Sequence, residues 1–78
     1  MGLKEEVLGL ISKTLDVGED ELKDDQTLYD SIGVDSTEMV ELVVAINKHF
    51  GVKVETNEIT KSSTPGQIVE VIENKKQA

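Results

Sequence analysis

Few side chains in this sequence can act as nucleophiles or bases. It contains no cysteine and one histidine, His49. Ser36 lies on the same predicted helix, but thirteen residues at a rise of about 1.5 Å each separate the two by about 20 Å, so they cannot form a catalytic dyad. Nothing around the other serines indicates a base with an orienting group: Ser12, Ser31, Ser62 and Ser63. We therefore predict that the chain has no catalytic site and is not an enzyme.

An acidic block is a second candidate for chemistry. Residues 24–47 contain six carboxylates and no lysine, the carboxylates being Asp24, Asp25, Asp30, Asp35, Glu38 and Glu41. When Gly33 is aligned with the glycine of a calcium-binding loop, Leu28 falls at the first ligand position. Leucine cannot bind calcium, so we predict no metal site of this kind. A loose divalent-ion site stays an alternative to ordinary solvated carboxylates.

Ser36 has a chemically particular setting. It falls at the start of a predicted helix, directly after Asp35, and nearby Gly33 permits close backbone approach. A phosphate ester on the Ser36 hydroxyl would meet free backbone N–H groups and the positive end of the helix dipole. A serine is also simply a favourable residue for the first turn of a helix, and spacing alone favours this second interpretation.

Helices are predicted on both sides of a long loop. Apolar residues at spacings of three and four predict a first helix from about Leu3 to Asp16, with Gly18 as its stop. Residues 17–34 show no sustained period, so we predict a loop, and loops longer than about 12 to 15 residues usually have a function. Scattered apolar residues are expected to anchor this loop to the core: Val17, Leu22, Leu28, Tyr29 and Ile32.

The second long helix has the clearest start in the sequence. Asp35 suits the N-cap, and Glu38 three residues later completes a capping-box pair. Gly51 supplies the left-handed residue that commonly follows a helix end. We predict a helix as far as Phe50.

The remaining residues predict two short segments and a last helix. Residues 52–54 alternate like a strand but have no partner, so we expect an extended linker, and residues 57–61 predict one short helical turn. Thr64 as cap, Pro65 at the first helical position and Gln67 at the box position predict the final helix. The expected fold is all-α, a small helical bundle of three main helices plus one short helix.

Length and charge restrict the classes of function. The 78 residues include 16 acidic and 8 basic ones, a net charge of −8, and we expect one domain over residues 1–78. This charge repels nucleic acids and anionic membrane surfaces within roughly 8 Å, so we expect protein partners with basic patches. The apolar runs are far shorter than the roughly 18 residues of a membrane span, and no secretory signal is recognisable. We expect a soluble, monomeric, cytoplasmic protein.

The chain as a whole resembles the acyl carrier proteins. The sequence GVDS at 33–36, followed by Glu38 and by VELV at 40–43, is similar to the Asp-Ser motif and second helix of that family. The similarity extends over nearly the whole chain: an acidic first helix, a long loop, this helix, a short third helix and a final Thr-capped helix. Length, acidity and helix order make the resemblance more specific than the short serine motif alone.

The resemblance implies a covalent cofactor. Ser36 would be the serine to which a phosphopantetheinyl transferase attaches 4′-phosphopantetheine from coenzyme A, with Gly33 and Asp35 beside it. The terminal thiol would hold acyl groups as thioesters in a chain that has no thiol of its own. The implied function is a free-standing acyl carrier for the enzymes of fatty-acid, lipid or polyketide-type biosynthesis. The alternative is an acidic helical interaction module without a cofactor, in which Ser36 only starts a helix.

Two valines predict a docking surface. Val40 and Val44 follow Ser36 by four and eight residues, at the edge of the core face of the helix. We expect acyl-loading and acyl-transferring enzymes to contact them, although both valines would also serve as edge residues of the core. Carboxylates and a hydroxyl on the same helix complete the expected surface: Asp35, Thr37, Glu38 and Glu41. The resemblance also implies an acyl-chain cavity near residues that would equally serve as plain core: Val43, Ile46 and Ile59.

Three features depart from the usual pattern of the family. Thr37 stands where fatty-acid carriers usually have leucine, residues 47–49 are not acidic, and Tyr29 replaces an aliphatic residue. The absence of a leucine side chain removes about 1.5 to 3 kcal/mol of apolar burial that an interface could otherwise use. We therefore expect a specialised carrier that the housekeeping fatty-acid enzymes bind weakly.

Overall fold

The computed structural model describes residues 2–77, and it is a helical bundle. Its helices are α1 (Leu3–Leu15), α2 (Leu28–Ile32), α3 (Ser36–Phe50) and α4 (Pro65–Gln77), with one 3₁₀ turn at Glu19–Glu21. No β-strand occurs between residues 2 and 77. The prediction of an all-α fold with three long helices and one short helix is confirmed. The short helix, however, precedes α3 rather than following it.

The three long helices share one hydrophobic core. Apolar residues three and four apart form one face of each helix, so that these faces meet when the helices pack. The buried residues of the helices, each at most 9% exposed, include Val7, Ile11, Leu15, Leu28, Met39, Leu42, Val43, Ile46, Ile68 and Ile72. The connecting segments add Leu22, Val34, Val54 and Ile59. Each such side chain stabilises the fold by about 1.5 to 3 kcal/mol, which a chain without disulfides requires.

The loop predicted over residues 17–34 contains a helix. α2 begins after Thr27, whose Oγ1 accepts a hydrogen bond from the Asp30 N–H (3.1 Å). Leu28 is buried as expected, whereas Tyr29 is 57% exposed and its side chain does not pack into the core. The loop prediction is therefore wrong at residues 28–32. Five residues span too few helical turns to show a periodic pattern.

The end of α1 also differs from the prediction. Asp16 is the C-cap, in the left-handed conformation with φ of 57°. Gly18, the predicted stop, has an extended backbone with φ of −75°. Its N–H donates to Glu21 Oε2 (2.9 Å) and so opens the 3₁₀ turn instead.

The segment between α3 and α4 is extended and then turns twice. Residues 52–54 have no regular structure, as predicted, but residues 57–61 form turns rather than a helix. The Glu58 side chain accepts the Glu55 N–H (2.9 Å), and the Ser63 hydroxyl accepts the Thr60 N–H (3.1 Å). The Ser63 hydroxyl thereby takes up a backbone donor that a helix over residues 57–61 would use. The predicted helical turn is therefore wrong.

The start of α4 agrees with the sequence. The Thr64 N–H donates to Gln67 Oε1 (2.9 Å), and the Gln67 N–H donates to Thr64 Oγ1 (3.2 Å). Pro65 occupies the first helical position, where its missing N–H is not needed. None of the helices in the described part of the chain has both the length and the apolar character needed to cross a membrane.

Candidate functional site

Asp35 and Glu38 build the N-terminus of α3. Asp35 Oδ1 accepts the Glu38 N–H (2.8 Å), and Glu38 Oε1 accepts the Asp35 N–H (3.1 Å). This reciprocal capping box confirms the prediction. The box uses two of the N–H groups that lack a partner inside the helix. The N–H groups of Ser36 and Thr37 donate to no other group within residues 2–77.

Ser36 is the first residue of α3 and is exposed. No hydrogen bond to another residue of the range 2–77 engages its hydroxyl. Next to the hydroxyl lie two N–H groups that remain free, together with the positive end of the helix dipole. Such a position stabilises an attached phosphate, so the residues present fit a phosphate ester at this hydroxyl.

Gly33 connects α2 to this site. It is the C-cap of α2 and adopts the left-handed conformation, with φ of 64° and ψ of 35°. A Cβ at this position would meet no atom within 4 Å. Gly33 is therefore favoured by its backbone conformation, and the space beside it is open to an approaching group. Val34, at 2% exposure, anchors the connection to the core.

A groove of about 240 Å³ opens beside Ser36, between α3 and the segment 56–61. It combines apolar side chains, hydroxyls and one ammonium group. Its lining consists of Ser36, Met39, Val40, Thr56, Thr60 and Lys61. The residue that we expected to carry a cofactor, Ser36, therefore lines this groove.

The residues expected around an acyl chain are buried and lie outside the lining of this groove. Val43, Ile46 and Ile59 are at most 3% exposed and belong to the core. They do not line the groove beside Ser36. Their contact with an acyl chain stays a prediction.

The expected docking residues lie on the open side of α3. Val40 is 50% exposed and Val44 is 52% exposed, so half of each side chain is available to a partner. Thr37 and Glu41 are exposed beside them, and Glu38 is partly buried. This surface places two apolar side chains among carboxylates.

The far end of α3 is polar and contacts other elements. His49 Nε2 lies 2.8 Å from Glu6 Oε2 on α1, at the opposite end of α3 from Ser36. Asn47 points to the following segment, where its amide bonds the backbone of Val54. No group of three or more histidine or carboxylate side chains within residues 2–77 is arranged to hold a metal ion.

Glu58 fixes the second wall of the groove to α4. Its Oε2 lies 3.0 Å from Lys75 Nζ, and its Oε1 accepts the Glu55 N–H (2.9 Å). The backbone hydrogen bond from Glu55, followed by the Lys75 ammonium, holds the pKa of the Glu58 carboxyl below its ordinary value. The carboxylate form is thus the one that ties the turn to the last helix.

Four residues that line the groove were not predicted to do so from the sequence: Met39, Thr56, Thr60 and Lys61. The last three lie at least twenty residues after Ser36 in the chain. Only the packing of the segment 56–61 against α3 brings them together. No local pattern indicates such a contact.

A family model described as the phosphopantetheine attachment site matches residues 5–72 of this chain. The acyl carrier protein of Thermotoga maritima is 41% identical over 69 residues, which cover 88% of this chain and 85% of the relative. The acyl carrier protein of Campylobacter hominis is 34% identical over 74 residues, which cover 95% of this chain and 94% of the relative. That of Sulfurovum sp. is 31% identical over 74 residues, which cover 95% of this chain and 99% of the relative.

The chain belongs to the acyl carrier protein family. The resemblance predicted from the sequence is confirmed. Domains of this family carry covalently attached 4′-phosphopantetheine and act as carriers.

Proposed function

We propose that this protein is an acyl carrier and that Ser36 bears the 4′-phosphopantetheine arm. The observation that carries the proposal is the exposed Ser36 hydroxyl at the start of α3, next to two free backbone N–H groups and at the edge of a groove. Family membership supports the carrier role. The choice of Ser36 rests on the resemblance of GVDS at 33–36 to the Asp-Ser motif of the family, and the geometry at the start of α3 supports it.

A phosphopantetheinyl transferase with coenzyme A would install the arm. The bond between Ser36 Oγ and phosphorus forms as the pyrophosphate bond of coenzyme A breaks, and adenosine 3′,5′-bisphosphate leaves. The hydroxyl proton passes to a base of the transferase, since the carboxylate of the preceding residue, Asp35, is engaged in the helix cap. An exposed hydroxyl on a fixed helix start suits a modifying enzyme that must reach it from outside.

The arm would supply the reactive group that the chain lacks. Its terminal thiol holds an acyl group as a thioester, and the protein presents that group to successive enzymes. The chain itself has no cysteine, so no protein thiol competes for the acyl group.

Val40 and Val44 are the proposed apolar contacts for those enzymes. Their half-exposed side chains lie on the same open side of α3 as the carboxylate of Glu41. Negative charge around a small apolar patch attracts partners with basic patches and raises the rate of encounter. Thr37 and the capping pair of Asp35 and Glu38 complete this surface at the end where the arm is attached.

The proposed pathway is a specialised one within fatty-acid, lipid or polyketide-type biosynthesis. Thr37 offers a partner less apolar surface than leucine would, and the acidic face does not continue through residues 47–49. We expect weak binding to a housekeeping fatty-acid ketosynthase. A titration that finds affinity equal to that of the ketosynthase's own carrier contradicts this specialisation and leaves the carrier role intact.

Intact mass spectrometry tests the attachment site. The protein is incubated with coenzyme A, magnesium and a phosphopantetheinyl transferase of broad specificity. Wild type and the control Ser62→Ala, which alters another exposed serine, should gain one phosphopantetheinyl group, whereas Ser36→Ala should gain none. Modification of Ser36→Ala assigns the arm to another residue. No gain by wild type favours the interaction module without a cofactor.

A further inference from the structure

Lys61 is held at the groove beside Ser36 by contacts with α2. Its carbonyl oxygen accepts the Tyr29 N–H (3.0 Å), and two residues later the Ser63 carbonyl accepts the Leu28 N–H (3.0 Å). The Lys61 ammonium lies 5.4 Å from the centre of the Tyr29 ring, within the range of a cation–π interaction. The exposed Tyr29 ring therefore forms a platform under this cation, and Lys61 also lines the groove.

A positively charged side chain near Ser36 would add to the free N–H groups and the helix dipole in holding a phosphate ester. Residues 24–47 contain six carboxylates and no lysine. The fold supplies the missing cation from a distant part of the chain, since Lys61 is the one charged residue among those that line the groove. Within residues 2–77, Lys4 and Lys75 are paired with carboxylates, whereas Lys61 takes part in no ion pair.

We propose that Lys61, on its Tyr29 platform, binds the phosphate through which the arm is joined to Ser36 and so holds the base of the arm at the groove. This inference rests on the proposed function and adds a positioning residue to it. A carboxylate on the acyl cargo offers similar anionic oxygens. The phosphate is the favoured ligand because its bond to Ser36 fixes it at the edge of the groove, whereas cargo lies at the far end of the arm.

The experiment compares the melting temperatures of apo and holo forms of five proteins at low salt. They are wild type, Lys61→Met, Lys61→Arg, Tyr29→Leu and the control Lys53→Met, which removes an exposed lysine that does not line the groove. Mass spectrometry first establishes complete loading, so failure of the proposed function is detected separately. The ε-CH₂ resonances of Lys61 are followed by NMR during the conversion of apo to holo protein.

The holo-minus-apo difference in melting temperature should be about 1 to 5 °C smaller in Lys61→Met than in wild type, the size expected of one partly exposed ion pair. Lys61→Arg and Lys53→Met should keep the wild-type difference, and Tyr29→Leu should reduce it. High salt should reduce the wild-type difference. The Lys61 resonances should shift when the arm is added.

The proposal is overturned if the holo-minus-apo difference in melting temperature is the same in wild type and Lys61→Met. It is also overturned if Lys53→Met reduces that difference as much as Lys61→Met does. The same comparison with succinyl-loaded and butyryl-loaded protein distinguishes the phosphate of the arm from a cargo carboxylate. The two groups have nearly the same shape, but only succinyl ends in a carboxylate. If Lys61→Met affects only the succinyl form, then the lysine binds a cargo carboxylate and the assignment to the phosphate is wrong. An equal effect on holo, butyryl and succinyl forms supports the phosphate.

Discussion

The side chain of Asn47 forms a pair of hydrogen bonds with the backbone of Val54. Its Nδ2 donates to the Val54 carbonyl (3.1 Å), and the Val54 N–H donates to its Oδ1 (2.8 Å). Val54 is 3% exposed and Asn47 is partly buried. The pair ties the extended segment to the last turns of α3. It thereby sets where the segment 56–61, the second wall of the groove, begins.

Loss of this pair should destabilise the protein measurably. Asn47→Ala leaves the Val54 N–H and carbonyl without their partner, so we expect the free energy of unfolding to fall by about 1 to 3 kcal/mol. Urea denaturation measures this fall in the free energy of unfolding. Lys48→Ala, one residue further along α3 and exposed, should change the free energy by no more than about 0.5 kcal/mol. Equal effects of the two substitutions would mean that the pair contributes nothing specific.

Asn47 also shows where sequence-based prediction reaches its limit. From the sequence it stands out only as a departure from an acidic surface, because its partner is an extended residue that no periodic pattern connects to α3. The capping pairs of Asp35 with Glu38 and of Thr64 with Gln67 were predictable, since both partners lie within one helical turn. Contacts within a turn leave a local signal, whereas contacts between elements depend on how the chain packs.

The same distinction explains the errors in the short segments and the missed groove. The five-residue helix α2 lacks a recognisable period, and its position depends on hydrogen bonds to residues 61–63. At residues 57–61, the Ser63 side chain accepts the Thr60 N–H, and turns form in place of the expected helical turn. Ser36 was recognisable as a candidate from the local motif around it. Lys61 was not, because the fold brings it to the groove.

The cap formed by Asp35 should be separable from the charge of Asp35. Asp35→Ala removes the acceptor for the Glu38 N–H, and we expect a loss of about 0.5 to 2 kcal/mol in the free energy of unfolding. Asp35→Asn keeps an acceptor at the N-cap and should lose much less. Both are measured by urea denaturation. A loss in Asp35→Asn as large as that in Asp35→Ala would show that charge, rather than capping, provides the stabilisation.

The exposed valines should affect binding without affecting the fold. We expect Val44→Ala to change the free energy of unfolding by less than about 0.5 kcal/mol, because the side chain is 52% exposed. It should weaken binding to a carrier-dependent enzyme in a titration. Val43→Ala is the matched control on the same helix. Its side chain is 3% exposed, so it should lose about 1.5 to 3 kcal/mol of stability. Unchanged binding by Val44→Ala would argue against this docking surface.

The Glu58 carboxylate should make a pH-dependent contribution to stability. The Glu55 N–H and the Lys75 ammonium lower the pKa of this carboxyl in the folded state. Its contribution is therefore fully present above the pKa of the unfolded chain and is lost as the pH falls through the folded pKa. Glu58→Gln should melt at a lower temperature than wild type near neutral pH, and the gap should close in acid.

Glu73→Gln controls for the change in net charge, because Glu73 is an exposed carboxylate that forms no ion pair within residues 2–77. It should not reproduce the pH-dependent gap in melting temperature. A gap for Glu58→Gln that persists unchanged at low pH would contradict a role for the ionised carboxylate.

Gly33 should prove to be needed for access to Ser36 rather than for folding alone. Gly33 and Gly51 adopt nearly the same left-handed conformation, with φ of 64° and 66°, and a Cβ at either position would meet no atom within 4 Å. Asparagine tolerates this conformation better than other residues with a side chain. Gly33→Asn and Gly51→Asn should therefore lose similar, small amounts of stability. Only Gly33→Asn should slow the loading of the arm, because its side chain stands beside the approach to Ser36, and the initial rate of modification by the transferase measures this. Equal rates for the two variants would restrict the role of Gly33 to its backbone conformation.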